Sequence, residues 1–171
     1  MKSKTIVIFG SSRSNGNTMD AVKSIIQKRK IEVIDLNKVK ITPYDYNHGN
    51  SNDDFIKIAK KMVNSDMIIF ATPVYWYSMS SHMKIFFDRL TDIIQIRKDL
   101  VRSLKGKTCY LIVSGTDTGL PHGFEVPFRR TCNYFDMKYK DAFYYYVKKD
   151  RRMPEETKNA AKKFGEKFLE R

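Results

Sequence analysis

The residues best suited to binding an anion form a short polar segment, residues 10–18 (GSSRSNGNT), near the start of the sequence. The apolar run Thr5–Phe9 before it predicts a buried strand, and the apolar spacing after it predicts a helix over residues 18–30. The first-turn N–H groups of a helix have no intrahelical partner, and the helix dipole adds partial positive charge there. We therefore expect a phosphate monoester to bind here; the alternative is a capped turn without a ligand. The side chains that add donors or charge are Ser11, Ser12, Arg13, Ser14, Asn17 and Thr18.

The spacing within this segment excludes the commoner phosphate-binding motifs. A Walker A loop has the pattern GxxxxGK[ST], whereas five residues separate Gly10 from Gly16 here and Asn17 replaces the lysine. The segment contains neither the dinucleotide pattern GxGxxG nor a cysteine that could attack a phosphate ester. We therefore expect it to hold a terminal phosphate without cleaving it.

A second segment, residues 71–81, follows the predicted third strand and carries three consecutive aromatic residues. Alternate residues of an extended chain point to opposite sides, so Tyr75, Trp76 and Tyr77 cannot all enter one core. An exposed aromatic cluster marks a binding site, which here would flank a flat ring. The alternatives are an aromatic plug over the end of the sheet or a subunit contact.

The elements that must position these two segments alternate between strand and helix along the whole chain. Parallel strands need crossover helices, so this alternation predicts an α/β fold with a parallel sheet covered on both faces. Ligands of such sheets bind at the carboxyl ends of the strands. The predicted strands span residues 5–9, 32–36, 67–71, 108–113 and 140–147, and the predicted helices span residues 18–30, 54–64, 81–94, 123–135 and 154–170.

Composition predicts one domain over residues 1–171, with 42% hydrophobic residues and no apolar run long enough to span a membrane. Cys109 and Cys132 lie in apolar patterns without a CxxC motif, which favours core thiols in a reduced, cytoplasmic protein. The net charge is +13, which indicates either a solvated basic surface or an anionic partner. The densest basic cluster comprises Lys148, Lys149, Arg151 and Arg152.

Three segments together resemble the NAD(P)H-dependent FMN reductase family of the flavodoxin-like superfamily: residues 10–18, residues 73–80 (PVYWYSMS) and residues 84–89 (KIFFDR). The resemblance covers essentially the whole chain in the order of its elements. It implies a flavodoxin-like three-layer sandwich with the strand order 2-1-3-4-5, FMN as the cofactor and NADPH or NADH as the co-substrate. It also implies a homodimer or higher homo-oligomer, with Trp76 and Tyr77 as candidate contacts.

The resemblance assigns roles to three loops. In the family the first loop binds the FMN phosphate, the second contacts the isoalloxazine ring and ribityl chain, and the loop after the fourth strand walls the other side of the flavin. The signature residues Lys84, Asp88 and Arg89 are interpreted as structural or interface residues. The expected cofactor-binding residues are Ser11, Ser12, Arg13, Asn17, Thr18, Pro73, Val74, Tyr75, Trp76, Ser114, Gly115, Asp117 and Gly119.

This sequence differs from two groups of related flavoproteins, and the differences narrow the predicted function. Members of the iron–sulfur flavoprotein subgroup carry clustered cysteines soon after the second strand, but residues 43–46 (PYDY) here offer no ligand for such a cluster. Flavodoxin electron carriers are typically acidic, whereas this chain is basic. The remaining histidines and cysteines lack metal-ligand spacing, so no metal site is expected, and His122 is interpreted as a free loop residue.

The expected function is hydride transfer from NADH or NADPH to bound FMN, and from there to a quinone, nitro, azo or flavin acceptor. The cofactor carries that chemistry, and no Ser–His–Asp or paired-carboxylate arrangement indicates hydrolysis, so we predict no catalytic side chain. The alternative is a non-enzymatic flavodoxin-type electron carrier. An RNA-binding protein of the same sheet class is a further alternative, but no RNP-type strand motif supports it, and neither nucleic acid nor membrane is an expected partner.

Overall fold

The computed structural model of the chain describes residues 3–50, 52–148, 150 and 153–169. Five parallel strands form one sheet in the order β2-β1-β3-β4-β5, which confirms the predicted flavodoxin-like arrangement. Because the chain order reverses beside β1, the loops after β1 and β3 leave the same edge of the sheet side by side. The strands are β1 (Thr5–Phe9), β2 (Glu32–Asp35), β3 (Met67–Pro73), β4 (Thr108–Gly115) and β5 (Lys138–Tyr146).

Helices cover both faces of the sheet and create two cores. Along β1, Ile6 and Ile8 enter the core under α2, α3 and α5, while Val7 and Phe9 enter the core under α1 and α6. This alternation follows from the two-residue period of a strand and explains why β1 is apolar throughout. The helices are α1 (Asn17–Ile26), α2 (Phe55–Val63), α3 (Ser81–Gln95), α4 (Lys98–Arg102), α5 (Val126–Tyr134) and α6 (Glu155–Leu169).

Several predicted boundaries were wrong for local backbone reasons. The first helix ends at Ile26 and not at residue 30, because Gln27 takes a left-handed φ of 52° and turns the chain toward β2. Helix α5 begins three residues later than predicted, because Gly123 has a φ of 79°. Helix α4 was not predicted. Of the basic cluster, Lys149, Arg151 and Arg152 lie outside the described residues, as does Glu170 at the end of the last predicted helix.

Arg89, in the segment 84–89 of α3, has a structural role, as predicted. The Arg89 guanidinium is buried and donates to Asp92 at 2.6 Å and to both carboxylate oxygens of Asp53. His48 contacts the other Asp92 oxygen at 3.1 Å. These bonds fasten the long connection between β2 and α2 to the middle of α3. Lys84 and Asp88, in contrast, form an exposed pair on the surface of the helix.

Cys109 and Cys132 are free and buried, as predicted. Hydrogen bonding to Cys132 and burial raise the pKa of the Cys109 thiol, so it stays protonated and unreactive. Among the described helices, none combines the length and apolarity required to cross a bilayer. In the same residues, no three His, Cys, Asp or Glu side chains converge as metal ligands would.

Candidate functional site

The loop after β1 is locked to the beginning of α3. The Gly10 N–H donates to the Ala71 carbonyl at 2.8 Å, and the Ser80 hydroxyl donates to the Gly10 carbonyl at 2.7 Å. Ser80 also caps α3, since its hydroxyl accepts the Met83 N–H. A Cβ on Gly10 would lie only 2.9 Å from the Cβ of Met83, so this position requires glycine. The close approach brings the two predicted binding segments together.

Helix α1 begins without a side-chain cap. Its N-cap residue is Gly16, and among the described residues no side chain caps the first turn. The helix is ten residues long, so the unpaired N–H groups and the dipole together favour an anion at this end. This observation disfavours the alternative of a capped turn without a ligand.

A hydroxyl group from α1 and one from the end of β4 meet beside the N-terminus of α1. Thr18 Oγ1 and Ser114 Oγ lie 2.7 Å apart and are both buried, although 96 residues separate them in the sequence. The Ser11 hydroxyl, also buried, accepts the Arg13 N–H at 3.3 Å. The Arg13 side chain packs over Gly16, where its Nε would lie 3.6 Å from an added Cβ. Buried donors and one guanidinium therefore converge at the helix N-terminus.

These groups line a cavity of about 130 Å³, here named the α1 cavity. It lies at the carboxyl ends of β1, β3 and β4, where the sheet topology places ligand sites. The lining residues are Ser11, Arg13, Gly16, Asn17, Thr18, Pro73, Val74, Tyr75, Ser114, Gly115, Thr116 and Val147.

The aromatic segment after β3 forms a strained two-residue turn. Tyr75 and Ser78 exchange backbone hydrogen bonds of 2.9 and 3.1 Å, and the residues between them have positive φ, 48° for Trp76 and 63° for Tyr77. The left-handed region costs a residue with a side chain about 1–2 kcal/mol. Both rings are nevertheless exposed, Trp76 to 93% and Tyr77 to 70%. A strained backbone that keeps aromatic rings exposed to solvent indicates a functional surface. The exposure of both rings rules out the alternative of an aromatic plug over the end of the sheet.

The turn borders a second cavity of about 170 Å³, here named the turn cavity. Val74 and Thr116 line both cavities, so the two are contiguous. The turn cavity is lined by two aromatic and two polar side chains. Its lining residues are Val74, Trp76, Tyr77, Thr116 and Asp117.

Tyr144 on β5 positions the loop after β4, a role that the sequence did not reveal. Its hydroxyl donates to the Asp117 carbonyl at 2.8 Å and lies 2.6 Å from where a Cβ of Gly115 would be. Burial and the neighbouring Asp117 raise the pKa of Tyr144, so the hydroxyl keeps the proton that it donates. The Val147 N–H donates to the Gly115 carbonyl at 2.7 Å from the same side. Two hydrogen bonds therefore hold the loop after β4, one at the carbonyl of Gly115 and one at the carbonyl of Asp117.

The structure brings most of the expected cofactor-binding residues together, with two exceptions. Ser12 and Gly119 are exposed and line neither cavity, and His122 is likewise exposed and outside them. Gly16, Thr116 and Val147 line the α1 cavity although they are not among the expected cofactor-binding residues. Applying the carboxyl-end rule to β5 as well would have pointed to Val147.

A larger groove of about 570 Å³ crosses the sheet edge at β2, but most of its charged side chains form ion pairs with one another. Lys57 pairs with Asp54 at 3.0 Å and Lys61 with Glu32 at 2.6 Å. Such a groove lacks the uncapped helix N-terminus and the buried hydroxyls of the α1 cavity, so its volume does not make it the better candidate.

Known proteins are similar to this chain over most of its length. The family model described as NADPH-dependent FMN reductase matches residues 3–151. YwqN of Bacillus subtilis (strain 168), named as an NAD(P)H-dependent FMN-containing oxidoreductase, is 33% identical over 130 residues, which cover 69% of this chain and 72% of that protein.

Solved structures share the fold. The Trp repressor binding protein from Bacillus subtilis superposes with a TM-score of 0.76 at 26% identity, over 94% of this chain and 99% of the other. An FMN-dependent NADH-azoreductase from Bacillus anthracis str. Ames Ancestor, solved in complex with FMN, has a TM-score of 0.71 at 10% identity, over 97% and 99% of the two chains. The family match, the relative and the sheet order agree, and the chain belongs to the NADPH-dependent FMN reductase family.

Proposed function

We propose that this oxidoreductase binds the phosphate of FMN in the α1 cavity and the flavin ring beside the turn cavity, and passes electrons from NADH or NADPH to a quinone, nitro, azo or flavin acceptor. One observation carries the proposal: the uncapped N-terminus of α1 opens into a cavity of buried hydroxyls that is contiguous with an exposed aromatic turn. The buried, uncrosslinked thiols are compatible with a reducing, cytoplasmic location.

The donor set fits a phosphate monoester. Ser11, Thr18 and Ser114 offer hydroxyls, the first turn of α1 offers backbone N–H groups, and Arg13 offers a guanidinium. No carboxylate of the described residues lines the α1 cavity, so none of them repels a dianion there. Neither Cys109 nor Cys132 lines the α1 cavity, which fits a phosphate that is held and not hydrolysed.

The side chains of this protein position the FMN and shield it from water, and they do not transfer protons. Bound FMN supplies the acceptance of a hydride and the release of electrons. Arg13 and the helix end hold the phosphate, and Val74 with Thr116 separates it from the ring side. Across both cavities, as far as the chain is described, Arg13 and Asp117 are the only charged side chains. This arrangement explains why no acid–base residue is needed.

A direct test compares two ligands that differ only in the phosphate. Apoprotein titrated with FMN and with riboflavin, followed by flavin fluorescence, is expected to bind FMN far more tightly. Arg13→Ala should weaken FMN binding by roughly tenfold to a hundredfold, because a hydrogen bond to a charged group contributes about 1.5–3 kcal/mol. Riboflavin binding should change little. Equal affinity for the two flavins in the wild-type protein would overturn the assignment of the α1 cavity.

A second experiment separates the enzyme from an electron carrier. FMN-loaded protein is mixed anaerobically with NADH or NADPH in a stopped-flow instrument, and the loss of flavin absorbance is followed. We expect reduction fast enough to sustain steady-state turnover with a quinone acceptor. Reduction far slower than turnover with a reduced protein partner would favour the carrier instead. Light scattering in the same buffer tests the expected homodimer or higher homo-oligomer.

A further inference from the structure

A solitary carboxylate faces the exposed aromatic turn. Among the described residues, Asp117 is the only charged one that lines the turn cavity, together with Trp76 and Tyr77. Throughout the described ranges, no lysine, arginine or histidine forms an ion pair with it. The carboxylate is exposed, so its charge acts on whatever enters the cavity.

Hydrogen bonds hold the backbone that carries this carboxylate. The Tyr144 hydroxyl holds the Asp117 carbonyl, and the neighbouring strand holds Gly115 through the Val147 N–H. On the other side, the Val74 N–H donates to the Ser114 carbonyl at 2.8 Å, which ties the aromatic turn to the end of β4. The aromatic wall and the charged wall are therefore parts of one framework.

Aromatic faces and a carboxylate attract the same kind of ligand. The π face of tryptophan or tyrosine attracts cations, and a carboxylate within a few ångströms does so by Coulomb attraction. The rest of the molecule has the opposite preference, since the net charge of +13 favours anions at long range. At this cavity the negative charge of Asp117 therefore opposes the positive net charge of the whole protein. The attraction of Asp117 dominates for a bound ligand, because salt screens charges farther away than about 8–10 Å.

We propose that the turn cavity selects planar electron acceptors that carry a positive charge over anionic acceptors of equal reduction potential, with Asp117 as the specificity-determining residue. This inference rests on the proposed function and names its acceptor class. In each turnover the nicotinamide loses a hydride, and a quinone acceptor gains that electron pair with two protons, one of which comes from solvent.

Trp76 allows a test that needs no cofactor, because it is the only tryptophan of the chain. Its fluorescence in the apoprotein is quenched with iodide, with neutral acrylamide and with caesium. Relative to acrylamide, Asp117→Asn is expected to raise the iodide quenching constant and lower the caesium constant, each about twofold at low salt. The matched control is Asp136→Asn, which should change neither constant. Asp136 is an exposed carboxylate just before β5, at the amino ends of the strands, whereas Asp117 lies at their carboxyl ends.

The second test measures acceptor choice in the oxidative half-reaction alone. FMN-loaded protein is reduced photochemically, without nicotinamide, and mixed with three naphthoquinones matched in potential: one bears a trimethylammonium group, one is neutral and one bears a sulfonate. We expect the cationic quinone to react about fivefold faster than the anionic one, and Asp117→Asn to remove most of that ratio while Asp136→Asn preserves it. High salt should remove it as well.

The outcomes distinguish this inference from the proposed function. Failure to bind FMN would overturn the proposed function, while the quenching experiment would still test the charge at the turn. Normal reduction of all three quinones with the same ratio in wild type and Asp117→Asn would overturn the charge selection alone. Trp76 fluorescence that acrylamide does not quench would also overturn it, because the turn would then be covered and not a substrate surface.

Discussion

The hydroxyl of Tyr144 donates a hydrogen bond of 2.8 Å to the carbonyl oxygen of Asp117. Tyr144 lies on the edge strand β5, whereas Asp117 belongs to the loop that follows β4 and borders the turn cavity. The hydroxyl also occupies the space that a side chain on Gly115 would need. Tyr144 lines neither cavity, yet its side chain determines the course of the loop after β4, which borders both cavities.

Tyr144→Phe should loosen that loop without unfolding the protein. A single neutral hydrogen bond contributes about 0.5–1.5 kcal/mol, so we expect a loss of up to that size in the free energy of unfolding and a severalfold weaker affinity for FMN. Fluorescence titration with FMN and urea denaturation measure the two quantities.

The adjacent residue offers the matched control. The Tyr145 hydroxyl is buried on the other face of the sheet and, in the described structure, has no hydrogen-bond partner. Tyr145→Phe removes an unsatisfied polar group, so stability should stay equal or rise and FMN binding should not change. If both variants bound FMN equally well, the positioning role of Tyr144 would be refuted.

The aromatic turn predicts an opposition between stability and binding. A turn with positive φ at both central residues favours Asn-Gly, so the double substitution Trp76→Asn with Tyr77→Gly should relieve about 1–3 kcal/mol of strain. Little packing is lost, because both rings are exposed. We expect a higher melting temperature together with weaker binding of riboflavin, the ligand that reports on the ring alone.

Trp76→Phe controls for that experiment, since it keeps an aromatic ring and a β-carbon at the strained position. It should show neither the gain in melting temperature nor the large loss in riboflavin affinity. A double variant that is less stable than wild type would mean that the turn is held by contacts other than those at its own backbone.

Local patterns in the sequence predicted the sheet and the first loop well. The run Thr5–Phe9 is apolar on both faces, so the pattern identifies β1 with its bounds, and the polar residues after it mark the start of α1. Long-range contacts could not be predicted in the same way. Nothing local distinguishes Tyr144 from the tyrosines on either side of it, and its role depends on the pairing of β5 with β4.

Backbone conformation accounts for the remaining differences. Ser12 was expected at the anion site because of its type, yet the loop turns it to solvent while Ser11 is buried. The positive φ of Gln27, Trp76 and Tyr77 could not be predicted, because none of these residues is a glycine. Such conformations are imposed by the surrounding structure, so a residue-by-residue propensity misses them.

The contact between Gly10 and α3 predicts a position where one methyl group is harmful. Gly10→Ala would place a Cβ 2.9 Å from both the Cβ and the backbone nitrogen of Met83, at the N-terminus of α3. Because backbone must move, we expect a loss of about 1–3 kcal/mol in the free energy of unfolding and weaker FMN binding. Gly119→Ala is the control, since an added Cβ there meets nothing within 4 Å. Equal stability of the two variants would contradict the close approach.

The buried network of α3 makes stability depend on acid pH. Burial alone would raise the pKa of Asp53, but hydrogen bonds from Arg89, from the Thr42 backbone and hydroxyl, and from the Phe55 N–H outweigh it and hold that pKa below its ordinary value of 3.8. A carboxyl with a lowered folded-state pKa contributes stability that is complete above the unfolded-state pKa and is lost as pH falls through the folded-state value. The wild-type protein should therefore lose this contribution only below about pH 4.

Asp53→Asn and Arg89→Met test that network separately. Removing Arg89 leaves Asp53 and Asp92 buried without their cation, so we expect a loss of about 3–5 kcal/mol at neutral pH, measured by urea denaturation. Asp53→Asn should lose less, and the slope of its unfolding free energy against pH below pH 4 should be flatter than that of the wild type by about one bound proton at most. The double variant should be more stable than Arg89→Met alone, because it buries one unpaired carboxylate fewer. An Asp53→Asn variant with the wild-type slope would show that another carboxyl, and not Asp53, causes the acid sensitivity.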